Sequence, residues 1–323
     1  MSDVLRQLRQ QHQAAGARPR LLERFAAFLP VDDSTPLISL GEGFTPLIHA
    51  RTLGRIIGCP LLHLKIEGQN PTGSFKDRGM VLAVAKAMEE GSRVLLCAST
   101  GNTAASAAAY GAAAGMEVVV ILPRGQVAQG KLLQAQAAGA RIVSVDSGFD
   151  GALKVVLDLV AESADQRAAT LVNSLNPFRI QGQKTAAFEI CEDLGGAPDY
   201  LAIPVGNAGN ITAYWRGFRD YQRARLVETL PVMLGFQAAG AAPLVEGRDV
   251  ADPQTVATAI RIGSPASREG AMAARNESGG RIASVTDEEI LEAYRDLARS
   301  EGIFCEPASA ASVAGVRKLA RAG

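Results

Sequence analysis

The chain has little of what a metal centre needs. Its three histidines, His12, His49 and His63, form no H-E-x-x-H spacing, which argues against structural or catalytic zinc. The four cysteines, Cys59, Cys97, Cys191 and Cys305, are far apart and make no C-x-x-C pair. They read as free thiols of a reducing compartment, not as a disulfide framework. Net charge is also absent, with 33 basic and 33 acidic side chains, so nothing recommends nucleic acid or an anionic membrane as partner, and any anion site has to be local. No apolar run reaches the roughly 18 residues of a membrane span, and the polar start MSDVLRQLRQQHQ has no signal-type core. The expectation is a soluble, cytoplasmic protein. A G-x-G-x-x-G fingerprint is missing too, which leaves a nicotinamide site without support.

What is present is 323 residues with 47% hydrophobic content, enough for about two domains with filled cores. After helical segments at 4–14 and 21–28, short apolar runs alternate with alanine-rich amphipathic stretches, a βαβ rhythm. Strands are expected at 61–66, 93–98, 117–122, 141–145, 170–172, 200–205 and 232–236. Helices are expected at 75–90, 103–114, 127–138, 149–164, 179–194 and 209–225. The strands are nearly unbroken in apolar character, as in parallel sheets buried on both faces, whose ligands lie at the strands' C-terminal ends. The fold class is therefore α/β. A compact series over 80–160 suits a smaller domain set within a larger one formed by 1–79 and 161–323. Gly, Pro, Ser and Ala accumulate over 241–280, which reads as an irregular, lid-like region. Thr286 to Glu289 forms a capping box for a helix to Arg299, and Glu306-Pro307 opens the last helix.

The most informative stretch is NPTGSFKDRGM at 70–80. It places Lys76 at the opening turn of a helix, behind a turn containing Pro71 and Gly73, with Ser74 and Asp77 in a Ser-x-x-Asp capping pattern. The helix N-terminus contributes about 0.3–1 kcal/mol, too little to bring a lysine from about 10.4 to neutrality, so burial or condensation with an aldehyde must supply the rest. A capped helix with an exposed lysine is the plain alternative.

Three loops could hold anions. Ser99-Thr100-Gly101-Asn102-Thr103 joins a strand to an alanine-rich helix and offers hydroxyls, a carboxamide and N–H groups, or is an ordinary polar N-cap. Gly206-Asn207-Ala208-Gly209-Asn210 is either a phosphate cup or a tight strand-to-helix turn. In Asn173-Ser174-Leu175-Asn176-Pro177-Phe178-Arg179, amide, hydroxyl and guanidinium could meet a second anion, or the arginine is solvated. Arg261 and Lys184 are weaker candidates. GQVAQGKL at 125–132 matches part of a P-loop, but Leu132 stands where a hydroxyl must ligate magnesium, and a plain helix start is the default.

In this order, NPTGSFKDRG, STGNT and PVGNAGNITA resemble the fold-type II pyridoxal-phosphate enzymes. With LGEGFTPL at 40–47, NSLNPFRIQGQKTAAFEI at 173–190, AIRIGSPAS at 259–267 and FCEPASAAS at 304–312, the chain is similar, within them, to the threonine synthase family. The resemblance implies two open, twisted, mostly parallel sheets with helices on both faces, and pyridoxal 5'-phosphate between a large domain and a smaller, mobile one. It implies that Lys76 forms the Schiff base, that Asn102 bonds the cofactor's 3-hydroxyl oxygen, and that Gly206, Asn207, Ala208, Gly209 and Asn210 hold the cofactor phosphate. Ser99, Thr100 and Thr103 would take the substrate carboxylate. Asn173, Ser174 and Arg179, aided by Thr103 and Asn210, would take the substrate's own phosphate.

The implied reaction is γ-elimination and β-addition of water, from O-phosphohomoserine to L-threonine and phosphate, in a homodimer. A serine/threonine dehydratase-like lyase is the alternative with the same cofactor. The T-G-H-G-L-K-like segment expected near the pyridine nitrogen does not occur before Gly323. The expectation is a shortened chain, or substitution by Ser309 or Ser312, which keeps open a catalytically impaired pyridoxal-phosphate-binding protein.

Overall fold

The computed structural model describes residues 18–124, 129–146, 149–162 and 169–322. The helix expected over 4–14 lies outside them. The chain divides into two compact units, one comprising residues up to Thr45 and Glu67–Thr185, the other Pro46–Ile66 and the residues from Ala186 on. The 80–160 segment falls wholly within the first.

In the first unit the strand Val94–Ala98 is central. Glu117–Pro123 runs parallel on one side and Ala169–Leu171 on the other, with Arg141–Val145 beyond Glu117–Pro123. Leu96 and Ala98 pack with Ile121 and with Ala152 and Val156 of the helix Phe149–Glu162. Leu95 faces the other way, where Gly111 of the helix Asn102–Ala113 comes so close that a Cβ would stand 3.3 Å from Leu95 Cδ1. Helices thus cover both faces, as strands without a polar side require.

The strand order reverses at Val94–Ala98. Its successor in sequence lies on one side and the last strand of the unit on the other, which makes it a switch point where the C-terminal loops part and leave room for a ligand. Those loops contain Ser99 to Gly101 and residues 172–176.

The helix Lys76–Glu89 is buried from Asp77 to Ala85, an interior helix and not an amphipathic one. It crosses the helix Pro177–Gln183 glycine on glycine. A Cβ at Gly79 would sit 2.5 Å from Arg179 O, and one at Gly182 would sit 2.1 Å from Arg78 O. The single helix expected over 179–194 is broken into Pro177–Gln183 and Thr185–Leu194. Thr185 Oγ1 donates to Gly182 O at 2.7 Å, a side-chain bond that competes with a helical one for the carbonyl.

The second unit has a parallel sheet in the order Tyr200–Pro204, Val232–Ala238, Arg281–Val285. Gly315 of the helix Pro307–Ala322 lies over the Phe236 ring, where a Cβ would be 2.1 Å from Cδ1. Phe236, Val285, Ile290, Leu297 and Val313 belong to the core there. The capping box at Thr286 and Glu289 forms as expected. The strand expected at 61–66 is His63–Lys65 and is not part of a parallel sheet. It pairs antiparallel with Leu47–His49, and His49 stacks on His63 across the ladder, 4.9 Å between centroids. The mixed polar and apolar text His-Leu-Lys fits such a half-exposed pair.

The 241–280 region is irregular over much of its length, as expected, and ends in the helix Arg268–Glu277. Its irregular part is tied down by Val250 N to Gly263 O at 3.0 Å and Gln254 N to Gly240 O at 2.9 Å. Asp287 accepts from Thr255 Oγ1 and Val256 N. No helix among the described residues is long and apolar enough to cross a membrane.

Candidate active site

Lys76 is the first residue of its helix. Its Nζ lies 4.2 Å from the centroid of the Phe75 ring, a cation–π contact that helps orient the amine. The N-cap position is Phe75, without a side-chain bond; Ser74 Oγ accepts from Lys76 N at 3.4 Å, and the expected partner role of Asp77 in that cap does not form. Asp77 instead reaches back over the turn. Its carboxylate accepts from Thr72 N at 2.7 Å, Thr72 Oγ1 at 2.6 Å and Ser106 Oγ at 2.6 Å. Burial raises its pKa above the usual 3.8 even so, because desolvation outweighs the three bonds and the field of Arg179.

The next residue, Arg78, is fully buried and grips Glu67 with two bonds, Nε to Oε2 at 2.7 Å and Nη2 to Oε1 at 2.8 Å. It also donates to Thr45 at 3.0 Å and Thr185 at 3.2 Å. Gly43 N donates to Asn70 Oδ1 at 3.0 Å. The LGEGFTPL segment is therefore a brace for the turn that leads to Lys76.

At the switch point the Ser99 and Asn173 loops are joined. Asn173 Oδ1 accepts from Ala98 N and its Nδ2 donates to Ala98 O, both at 2.8 Å. Both ends of the carboxamide pair with the central strand's last residue, which leaves one Nδ2 proton to donate elsewhere. Ser99 Oγ accepts from Gly101 N at 3.2 Å. Ser99, Thr100 and Ser174 are half-buried, Thr103 is buried, and Asn102, half-buried, opens its helix.

Arg179 is buried at 1% exposure. Nη1 donates to Val172 O at 2.7 Å, while the buried Nε has no partner among the described residues. Desolvation lowers its pKa to about 10, against the fields of Cys97 and Asp77. Burial pushes the Cys97 thiol up to about 12, with Arg179 and Lys76 pulling the other way. Both cations therefore act at the end of the central strand. A buried guanidinium that makes no ion pair with a carboxylate among the described residues is a costly arrangement that an incoming anion relieves.

In the second unit, Gly206 to Asn210 follows the strand Tyr200–Pro204 and opens the helix Gly209–Arg223. Ala208 takes φ +64°, the left-handed region, which turns successive N–H groups toward one side. Gly206, Ala208, Gly209 and Asn210 donate no main-chain hydrogen bond outside the helix among the described residues. Asn210 Oδ1 is buried without a partner among them. The 259–267 segment backs the loop: Asn207 O accepts from Ser267 N at 3.1 Å, Asn207 Oδ1 accepts from Ala266 N at 3.2 Å, and a Cβ at Gly206 would stand 2.9 Å from Ile260 Cα. The result is a nest of unmatched donors at a helix N-terminus, a place for phosphate.

Lys184 Nζ donates to Phe28 O at 3.1 Å, Arg261 is exposed, and so is Ser309, whose carbonyl accepts from Ser312 Oγ. Residues 125–128 of the P-loop-like string lie outside the described residues, but its Lys131 Nζ donates to Thr72 O at 2.8 Å. Thr72, Ser106 and Lys131 join the site only through these tertiary contacts, and Asp77 does so in a role its spacing does not suggest. Ser106, a hydroxyl set among alanines in the middle of its helix, is the available signal in the sequence.

Residues 38–323 match the family described as pyridoxal-phosphate dependent enzyme. The threonine synthase of Halalkalibacterium halodurans is 56% identical over 303 residues, 94% of this chain and 84% of its own length. That of Synechocystis is 55% identical over 299 residues, 92% of this chain and 77% of its own. Among solved structures, a threonine deaminase of T.th. superposes with TM-score 0.73 at 27% identity, covering 94% of this chain and 92% of its own.

Proposed function

This chain belongs to the pyridoxal-phosphate dependent enzymes, and from that premise we propose that it converts O-phosphohomoserine to L-threonine and phosphate by γ-elimination followed by addition of water at Cβ. The observation that carries the reading is Arg179, a buried guanidinium at the switch point of a sheet that makes no ion pair with a carboxylate among the described residues. The high identity to threonine synthases supports it.

The residues present fit the cofactor. The nest at 206–210 has unmatched donors for its phosphate, and Lys76 offers the amine for its aldehyde. When bound, pyridoxal phosphate supplies an electron sink for carbanions formed beside the substrate amine. Lys76 Nζ would hold it, and would take protons from substrate Cα and Cβ and return them at Cγ, where phosphate has left, and at Cα, while water adds at Cβ. Asn102 would bond the cofactor oxygen. Ser99, Thr100 and Thr103 hold the substrate carboxylate.

Arg179 and Ser174 hold the substrate phosphate and steady it until it departs from Cγ. Asn173, bonded to Ala98 at both ends, keeps Ser174 in register with the Ser99 loop, and the second proton of its Nδ2 is left to donate to the phosphate. We place the mobile smaller domain at 80–160, and the protein in the cytoplasm as a homodimer, on the strength of the family resemblance.

Purified protein loaded with pyridoxal phosphate is expected to release phosphate and threonine in equal amounts from O-phosphohomoserine. Ammonia from threonine, with no phosphate from O-phosphohomoserine, would replace this reading with a dehydratase.

A further inference from the structure

Thr72 is held at every polar group it has. Its N–H and its hydroxyl both donate to Asp77, at 2.7 and 2.6 Å, and its carbonyl accepts from Lys131 Nζ at 2.8 Å. The same Asp77 carboxylate takes Ser106 Oγ at 2.6 Å. Ser106 lies one turn along the helix that begins at Asn102, and Asp77 follows Lys76 directly. Between Thr72 and Lys76, Gly73 takes φ +85°, and a Cβ there would meet Lys131 Nζ at 3.2 Å, so the turn has one backbone path and little slack.

We infer that Asp77 is a positioning residue, which locks the turn carrying Lys76 to the helix carrying Asn102 through Thr72 and Ser106. The inference rests on Lys76 as the reactive amine and extends to residues that the proposed chemistry does not use. A carboxylate with three donors in a buried setting is a stiff joint, because each bond to a charged group is stronger than a neutral one and none can be replaced by water without opening the turn. Lys131 closes the other side of Thr72 from the helix Gln129–Ala137. The joint thus sets the distance between the amine and the carboxamide before any ligand arrives.

The test is amide hydrogen exchange over residues 72–77 in the full chain, with and without cofactor, read together with kcat and KM. Ser106→Ala and Thr72→Val each remove one donor and leave the fold's core in place. Each should speed exchange at 72–77 by about tenfold, the loss of one charge-assisted bond, and lower kcat by about tenfold with KM within about twofold. Asp77→Ala should lose more on both counts. Asp77→Asn keeps an acceptor for the Thr72 N–H and lets both hydroxyls turn to accept, so it should recover most of the protection and most of kcat.

Unchanged exchange at 72–77 in the Ser106 and Thr72 variants overturns the inference. So does faster local exchange with kcat unchanged, or a uniform rise along the whole Lys76–Glu89 helix. Turnover by Lys76→Ala would instead refute the underlying assignment of the amine, whatever the exchange pattern, so the two failures are told apart.

Discussion

Alanine at Gly182 is the sharpest test of how the fold places its two reactive cations. The added Cβ would stand 2.1 Å from Arg78 O and 2.8 Å from Gly79 Cα, more than about 1 Å inside ordinary contact, and both neighbours are backbone that cannot swing aside. The helices Lys76–Glu89 and Pro177–Gln183 must therefore part. Overpacking of this kind costs about 1–3 kcal/mol, and rigid backbone on the far side places Gly182→Ala at the upper end. At about 2–4 °C per kcal/mol for a unit of this size, the melting temperature should fall by roughly 6–12 °C.

Gly79→Ala meets Arg179 O at 2.5 Å and Arg179 Nε at 3.0 Å. It should cost less but still displace the guanidinium. Gly130 lies in the helix Gln129–Ala137 with no atom of the described residues within 4 Å of the place a methyl group would take, so Gly130→Ala is the control and should gain up to about 1 kcal/mol from helix propensity. Calorimetry gives the order, and kcat/KM measured well below every melting temperature should fall for Gly182→Ala and Gly79→Ala, because one helix carries Lys76 and the other Arg179. A Gly182→Ala protein that melts with the wild type and turns over normally would refute the crossing.

Two further outcomes follow from buried charge. Arg179→Met removes a guanidinium that burial desolvates enough to lower its pKa to about 10, against which stands the lost bond to Val172 O. Its melting temperature should be equal or higher, while kcat/KM for O-phosphohomoserine drops at least about 100-fold; a large loss of stability with unchanged kcat/KM would make Arg179 a purely structural residue. The Asp77 pKa is raised above 3.8 in the folded protein, so the folded state binds the extra proton. Its contribution to stability is complete below about pH 4 and is lost as pH rises through the folded value. The difference in urea midpoint between wild type and Asp77→Asn should therefore shift against the wild type over that window, and a shift of opposite sign would show that the carboxylate is stabilised, not strained, by its setting.

Much of this is legible in the sequence because strands buried on both faces must be apolar throughout, and the Ser99, Asn173 and Gly206 loops each follow such a strand. Lys76 at a helix start is legible from Pro71 and Gly73. What is not legible depends on tertiary contact. The Gly79–Gly182 crossing, the break before Thr185, and the use of Asn173 on Ala98 are set by partners about 100 residues away or by a hydroxyl that outcompetes the helix. The strands Arg281–Val285 and Leu47–His49 are obscured because half-exposed residues dilute the apolar signal. The spacing of Asp77 suggests an N-cap partner, although a buried carboxylate goes to the nearest three donors.

The central claim is that one amine, Lys76 Nζ, holds the cofactor. Borohydride reduction of the loaded protein followed by peptide mass spectrometry tests it most directly. A single pyridoxyl adduct on Lys76 is the expected result. An adduct on Lys65, Lys131 or Lys184 instead, or none after saturation with pyridoxal phosphate, would contradict it.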